Sequence, residues 1–405
     1  MINSKKSVKI DMNICRVAGL LVIVLLLGIN GCGKSRPPMS SDVYIWQRQW
    51  TPAVSAALQS ADRAVQIRNW RVLGGEISQD GTMHPAYPDF PALAMRPVTL
   101  VIRIDGQLST LNDHARFEQI SAVLQNWQAH QLNVTGIEID HDCGTQRLAA
   151  YAGFLGKLRQ NISPLNLSIT ALPDWIHSPQ LPELLNVTDS YVLQVHAVQN
   201  PAGGLFNAPQ ATLWVNAFDK ISPKPFQVAL PDYGSRVSWN ERGDIVGIES
   251  ERPQAIYAKE SKELIAYPAA VQDFMQKLSA HSPDHLSGFA WFRLPLEGDR
   301  RTWDAATWQA VMNGRYVEPP AQIELNAGES GMYTVSLYNP AEFDAVLPAV
   351  VTLDRSCMLG DGANEYRWDE GRLTRLQSGL LHPHSRRIIG WTRCDNKKKE
   401  AHAEQ

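Results

Sequence analysis

The chain has 405 residues, of which 44% are hydrophobic and 20% charged, and its formal net charge is -3. Such a composition is that of an ordinary globular protein with room for one large domain or two smaller ones. The absence of basic bias argues against nucleic acid and against an anionic surface as electrostatic partners.

Lys5, Lys6, Lys9 and Arg16 precede the apolar run VAGLLVIVLLLGI, a positive segment followed by a hydrophobic one that is short for a spanning helix. The run ends in LGINGC, with Gly31 directly before Cys32, and this resembles the lipobox of bacterial lipoproteins. The resemblance implies cleavage before Cys32 and lipidation of that residue by fatty acyl chains such as palmitate. With Gly33 in the following position, it also implies a place at the outer membrane, facing the periplasm. An uncleaved signal anchor is the alternative. Residues 1–32 are thus read as signal and lipobox, and 33–41 as a tether. Cys15 falls in the signal, so the cysteines left for the fold are Cys143, Cys357 and Cys394. Cys357 and Cys394 share the C-terminal region and are the expected disulfide of an exported protein, with Cys143 unpaired. No CxxC or His/Cys spacing marks a metal site, and no cofactor is expected.

Strand-like and helix-like segments alternate over residues 42–314. DVYIWQRQW, NWRVLGGEIS, PVTLVIRIDG, VTGIEIDHD, LNLSITALPDW, SYVLQVHAV, PFQVALPDYG and LSGFAWFRLP are eight strand candidates, several of them continuous apolar runs. Strands buried on both faces read this way, and alternation with helices predicts a parallel sheet. Between them DHARFEQISAVLQNWQAH places Phe117, Ile120, Leu124 and Trp127 at helical spacing. Eight such units predict a (β/α)8 TIM barrel. A doubly wound sheet is the alternative, but no glycine-rich phosphate turn follows the first strand. After the Pro-Pro break near Glu318 the texture becomes all-β, which predicts a small β-sandwich-like domain over 315–395. The charged tail 396–405 reads as disordered.

The fourth strand carries Glu138, Asp140 and Asp142 in strict alternation, so all three share one face. In a barrel that face is the interior, and active sites lie at the C-terminal rim. Asp142 is then nearest the rim and Glu138 deepest. Mutual repulsion is expected to spread the three pKa values and leave one group protonated near neutrality. A structural reading competes with this. Arg103 and Asp105 share parity on the adjacent third strand, and Arg48, Gln194, His196 and Arg293 can point into the same interior, where arginines would hold the acids ionised. Glu138 is most simply structural. Trp46, Trp175, Tyr233 and Trp291 are candidate sugar platforms at the rim. Glu76 is a possible second carboxylate, and His84 and Tyr87 sit on a rim loop rich in turn residues.

VTGIEIDHD resembles the DGxDxDxE signature of family 18 glycoside hydrolases, the chitinase-like barrels. Gly136 matches the glycine, Glu138 and Asp140 stand at the second and third aspartates, Asp142 stands at the catalytic glutamate, and Thr135 replaces the first aspartate. On the sixth strand Gln194 and His196 occupy the Met and Tyr positions of the family's Met-x-Tyr-Asp element, and the aspartate is absent. FQVALPDYGS resembles the seventh strand, with Tyr233, and GFAWFRLPLEGD the eighth, with Trp291 at a sugar-stacking position. YIWQRQW, GIEIDHDCGTQRLAAYAGFLGKLR, LSITALPDW and YTVSLYN together resemble the bacterial domain of unknown function 3142 family, which is grouped with glycosidase-type barrels.

The family 18 resemblance implies a glycan partner and a glycosidase in which Asp142 is the acid/base, helped by Asp140 and Glu138, while Trp291, Tyr233, His196, Gln194, Arg103, Asp105 and Trp46 bind substrate. Asp is one methylene shorter than Glu, and a positional error of about 1 Å can cost about a hundredfold in rate. The expectation therefore has two forms: an envelope lipoprotein that hydrolyses or remodels a glycan, or one that binds a glycan or serves envelope assembly without catalysis.

Overall fold

The computed structural model describes residues 39–111, 114–196, 203–250, 257–354, 356–394 and 401–404. The signal, Cys32 and most of the expected tether lie outside these residues. Eight strands close into a parallel barrel: β1 (Ser40–Ile45), β2 (Asn69–Ile77), β3 (Pro97–Ile104), β4 (Asn133–His141), β5 (Asn166–Ala171), β6 (Ser190–Gln194), β7 (Phe226–Pro231) and β8 (Leu286–Phe292). Each strand pairs with the next, and β8 closes on β1, with Ala290 opposite Asp42. A helix follows every strand: α1 (Pro52–Ala64), α2 (Phe90–Leu93), α3 (His114–Ala129), α4 (Leu148–Ile162), α5 (Leu181–Asn186), α6 (Ala208–Asp219), α7 (Pro268–Ala280) and α8 (Ala305–Met312). The expected (β/α)8 barrel is the fold. Ser40 and Ser41, expected in the tether, are instead the first residues of β1, because Ser40 pairs with Gly288 on β8.

The outward faces are apolar and lie under the helices. Leu100, Ile102 and Ile104 of β3 and Ile137 and Ile139 of β4 are fully buried in one cluster with Ile120 and Trp127 of α3 and Phe154, Leu155 and Leu158 of α4. Each such side chain contributes about 1.5–3 kcal/mol on leaving water. Phe117 stacks on Phe154 with ring centres 5.1 Å apart. Gly136 stands where a Cβ would lie 2.6 Å from the Asn166 carbonyl oxygen, so the close approach of β4 to β5 requires glycine there.

The lumen floor is polar. Arg71, on β2, donates to Glu138, to Asp42 at 3.1 Å and to Gln227 at 2.7 Å. Tyr44 donates to the other oxygen of Glu138 at 2.5 Å, and Ser168 and Thr170 reach the same carboxylate at 3.4 and 3.3 Å. Arg68 closes on Asp42 as a fork from outside the floor, at 3.0 and 3.1 Å. Two carboxylates thus face two guanidiniums, and each buried charge has its counter-charge.

Two additions to the barrel are not evident in the sequence. Met83–Pro85 pairs antiparallel with the end of β2. After β7, strands Gly234–Trp239, Ile245–Glu249 and Glu260–Ile265 form a small antiparallel sheet. Beyond Tyr316, two four-stranded sheets share a core of Val335, Leu337, Leu347, Val351, Leu373 and Ile389, with the Cys357–Cys394 disulfide beside it. The tail expected to be disordered supplies a strand here, Ala401–Glu404, paired with Val350–Leu353. This domain is fastened to the barrel at Asp344, which accepts from the Asp304 backbone at the start of α8 at 2.7 Å and bonds His382 at 2.7 Å. It also grips the inserted sheet through Gln377, which donates to Ser261 and accepts from the Glu263 backbone. Among the described residues no helix is long and apolar enough to cross a membrane.

Arg71→Met is expected to destabilise the barrel by about 3–5 kcal/mol in urea denaturation, because it leaves Glu138 and Asp42 buried without their shared cation. A loss below about 1 kcal/mol would refute a closed ionic floor.

Candidate functional site

The C-terminal ends of the strands open into a cavity of about 740 Å³. Strand β4 delivers its three acids to successive depths, as its parity requires. Glu138 is wholly buried in the floor network and does not line this cavity. Its expected help in catalysis is therefore corrected: its oxygens are occupied by Arg71, Tyr44, Ser168 and Thr170, and it is a structural anchor. Asp140 and Asp142 both line the cavity. Asp140 lies below with 8% of its side chain exposed, and Asp142 above it with 31% exposed.

Arg103 of β3 joins the two. One nitrogen donates to Asp140 at 2.6 Å and another to Asp142 at 2.7 Å. The two carboxylates hold the guanidinium firmly in its charged form. Each carboxylate retains one buried oxygen, Oδ1, that has no hydrogen-bond partner among the described residues. Burial raises the pKa of Asp140 to about 6, against the pull of Arg103 and with the added push of the Asp142 charge. A carboxyl that holds its proton to that pH is suited to donate it.

Aromatic rings line the same mouth. Tyr44 and Trp46 of β1 and its following loop meet Phe292 of β8, with centroids 5.6 and 5.2 Å from the Phe292 ring. Tyr233 lies against both Phe292 and His196. Its hydroxyl is 3.2 Å from His196 Nδ1, and His196 Nε2 is buried with no hydrogen-bond partner among the described residues. Burial pushes the His196 pKa down to about 3, so the ring is neutral at physiological pH. Gln194, beside it, donates to the His196 carbonyl at 2.9 Å. Glu76 reaches the lumen through a bulge: the β2–β3 register shifts between Leu73 and Gly75, which brings Glu76 level with Arg103. Gly74 serves that bulge, since a Cβ there would fall 2.1 Å from Leu100. Arg48 then forks onto Glu76 at 2.5 and 2.8 Å.

One wall comes from the inserted sheet. Ile248 and Ser250 line the cavity, and Arg293 donates to the Ser250 carbonyl at 3.2 Å and to Asp299 at 2.6 Å. The Arg293 backbone donates to the fully buried Asp232, whose carboxyl is pushed well above the usual range by burial.

Three expected binding residues are elsewhere. Trp291 points out of the barrel, is fully buried, and packs on Trp303 and Trp308. Both faces of β8 are apolar, so its sequence did not disclose its parity; the ring in the mouth is the next residue, Phe292. Asp105 lies outside the main cavity, in a smaller pocket beside Arg103 and Asp142, where it accepts from the Gln107 backbone at 2.7 Å. Trp175 is likewise buried and donates to the Cys143 carbonyl at 2.9 Å. The thiol of Cys143 is buried, which pushes its pKa up to about 11, and this makes it a poor nucleophile. Sequence reasoning missed Tyr44, Phe292 and Arg71. The signal for Arg71 was present, since a lone arginine inside an apolar strand demands an acid.

Residues 94–297 match the family described as domain of unknown function (DUF3142), and residues 322–395 match a second one, domain of unknown function (DUF8456). No curated protein is significantly similar in sequence. Among solved structures, the spore cortex-lytic enzyme SleL of Bacillus cereus superposes with a TM-score of 0.50 at 13% identity, covering 69% of this chain and 74% of its own. A chitinase from Bacteroides thetaiotaomicron gives a TM-score of 0.50 at 12% identity, covering 70% of this chain and 100% of its own. At such identities the likeness is one of fold. The first of the two family matches spans half of the chain, from the approach to β3 to just beyond β8, and the protein belongs to the domain of unknown function (DUF3142) family.

Proposed function

We propose that the barrel mouth binds a glycan and hydrolyses it, with Asp140 and Asp142 as the acid–base pair. The observation that carries this reading is the pair itself: two carboxylates bridged by Arg103, each with one oxygen that has no hydrogen-bond partner among the described residues, both lining a cavity rimmed by Trp46, Tyr233 and Phe292. Asp140 carries the proton that the departing sugar oxygen requires. Asp142, more exposed and ion-paired, is the carboxylate that takes a proton from the water whose oxygen bonds to the sugar carbon as the glycosidic C–O bond breaks. Tyr233 and His196 supply hydrogen bonds to sugar hydroxyls, and the aromatic faces stack on the ring. Two barrels of the same fold are named for a cortex-lytic enzyme and a chitinase, which agrees with a glycan ligand.

The roles of the two acids are the reverse of those implied by the signature, in which Asp142 stood at the acid. Arg103 also favours a second reading, binding without cleavage, because it engages both carboxylates at once. The N-terminal sequence supports a lipid anchor at Cys32 and a place in the cell envelope, at the outer membrane on its periplasmic side.

Purified chain starting after Cys32 is to be assayed on chitohexaose, peptidoglycan, cellohexaose and xylohexaose. Turnover of at least one is expected, and Asp142→Asn is expected to lower it by about 100-fold or more. Unchanged turnover in that variant would remove Asp142 from the chemistry, and binding without turnover in the unaltered chain would select the second reading.

The pH dependence has a definite sign. Asp140 must hold its proton, so kcat should fall as pH rises through about 6, and this limb should vanish in Asp140→Asn. The same shift acts on stability: a carboxyl whose folded pKa is raised contributes fully below its ordinary value and loses that contribution as pH rises through about 6. A kcat that rises through this range would contradict the assignment. For the anchor, incorporation of a fatty-acid probe in cells is expected to disappear in Cys32→Ala, and a persistent label would refute lipidation at that residue.

A further inference from the structure

A second aromatic groove opens beside the mouth. It has a volume of about 590 Å³ and is lined by Trp50, Thr51, Pro52, Tyr87, Pro88 and Asp89, with Ser55 and Gln59 on its α1 side. Tyr87 is 66% exposed, unusual for so large a ring. Trp50 is half-buried against the core, and its indole N–H is buried with no hydrogen-bond partner among the described residues. The groove is held in shape by main chain. Tyr87 donates its backbone N–H to the Arg48 carbonyl at 2.9 Å, and Gln49 bridges to Tyr87.

The lining selects the ligand. No lysine or arginine contributes to it, and the single charge is that of Asp89. That carboxylate is already engaged by Ser55 Oγ at 2.9 Å and the Ala92 backbone at 3.2 Å. An anionic ligand finds no counter-charge there. A neutral ring with an apolar face and hydroxyls at its edge matches two aromatic side chains, an unused indole donor and a Thr51 hydroxyl that makes no capping bond. One loop contributes to both the groove and the mouth. Trp46, Gln47 and Arg48 line the mouth and Trp50 lines the groove. Trp50 is four positions beyond Trp46, so their Cα atoms are at most about 14 Å apart.

We propose that this groove, on Trp50 and Tyr87, is a second sugar-binding site that holds a distal, uncharged unit of the same glycan chain whose reacting unit sits in the mouth. The proposal rests on the glycan reading of the mouth and adds to it a requirement for chain length: an oligosaccharide that spans both sites binds more tightly than one that fills the mouth alone.

The test is calorimetric titration of the full chain in detergent, carrying Asp142→Asn to suppress cleavage, with chitohexaose and cellohexaose and with the disaccharides chitobiose and cellobiose. Tyr87→Ala is expected to weaken the bound hexasaccharide about tenfold and to leave the disaccharide within twofold, whereas Tyr87→Phe keeps the ring and restores hexasaccharide affinity. Tyr87 is exposed, so its truncation leaves the core untouched; Trp50→Phe, which keeps a ring but removes the indole donor, gives an independent second reading with a smaller loss of the same kind. Hexasaccharide affinity unchanged in both Tyr87→Ala and Trp50→Phe overturns the groove. An equal loss for disaccharide and hexasaccharide also overturns it, since Tyr87 would then act through the mouth. Failure of the functional reading is distinguishable: in that case neither hexasaccharide binds the Asp142→Asn chain or the unaltered one, and the groove proposal falls with it.

Discussion

Strand β4 directs three acids into a closed lumen, and the neutralisation of those charges is the constraint around which the barrel interior is built. An unpaired carboxylate in such a place would protonate or destabilise the fold. Two arginines on neighbouring strands prevent this at two depths. Arg71, on β2, serves Glu138 and Asp42 in the floor, and Arg103, on β3, serves Asp140 and Asp142 in the mouth. The difference between the depths is saturation. In the floor both oxygens of Glu138 are bonded, whereas in the mouth one oxygen on each aspartate has no hydrogen-bond partner among the described residues. The first arrangement can only hold the barrel together, and the second has capacity for a ligand.

The walls of the mouth depend on parts that lie outside the barrel strands. The bulge at Gly74 turns Glu76 inward, where Arg48 fixes it. The inserted sheet after β7 supplies Ile248 and Ser250 and is braced from behind by Gln377 of the C-terminal domain. That domain is in turn tied to α8 through Asp344, which His382 of the same domain holds. The hydrogen bond to Asp344 raises the His382 pKa despite burial, so the stabilisation this contact gives is complete below about pH 6.5 and is lost as pH rises through the raised value. The C-terminal domain is thus more than an appendage, since its contacts reach a wall of the cavity through one intervening sheet.

The barrel was legible because its signals are periodic. Eight apolar runs alternate with helices, and the GIEIDHD stretch shows its parity openly, acid against isoleucine. Where a strand is apolar on both faces that contrast is missing, and so Trp291 was assigned to the mouth although Phe292 occupies it. Glu138, Asp140 and Asp142 were ranked by depth from sequence and Arg103 was among the arginines expected beside them, but it could not be singled out from Arg48 and Arg293, and Arg71 was overlooked, because only the strand order sets each arginine opposite its acids. The inserted sheet was illegible for a different reason: DYGSRVSWNERGDIVGIES is a polar hairpin whose pairing depends on contacts with Glu260–Ile265, further along the chain.

The charge arrangement also bears on what the mouth can recognise. Arg48 is bonded to Glu76, Arg103 to Asp140 and Asp142, and Arg293 to Asp299. Cations and carboxylates, three arginines beside four acids, are interleaved around the cavity rather than segregated, which weakens any one-signed field that would steer a polyanion or polycation toward it. A ligand that gains nothing from net charge must be held by ring faces and by hydrogen bonds to neutral groups. Those are what Trp46, Phe292, Tyr233, Gln194 and the neutral His196 offer, and the same holds for the groove at Trp50 and Tyr87. The arginines that make the buried acids tolerable are thus also the reason that the mouth offers ring faces and neutral hydrogen-bonding groups rather than a field of one sign.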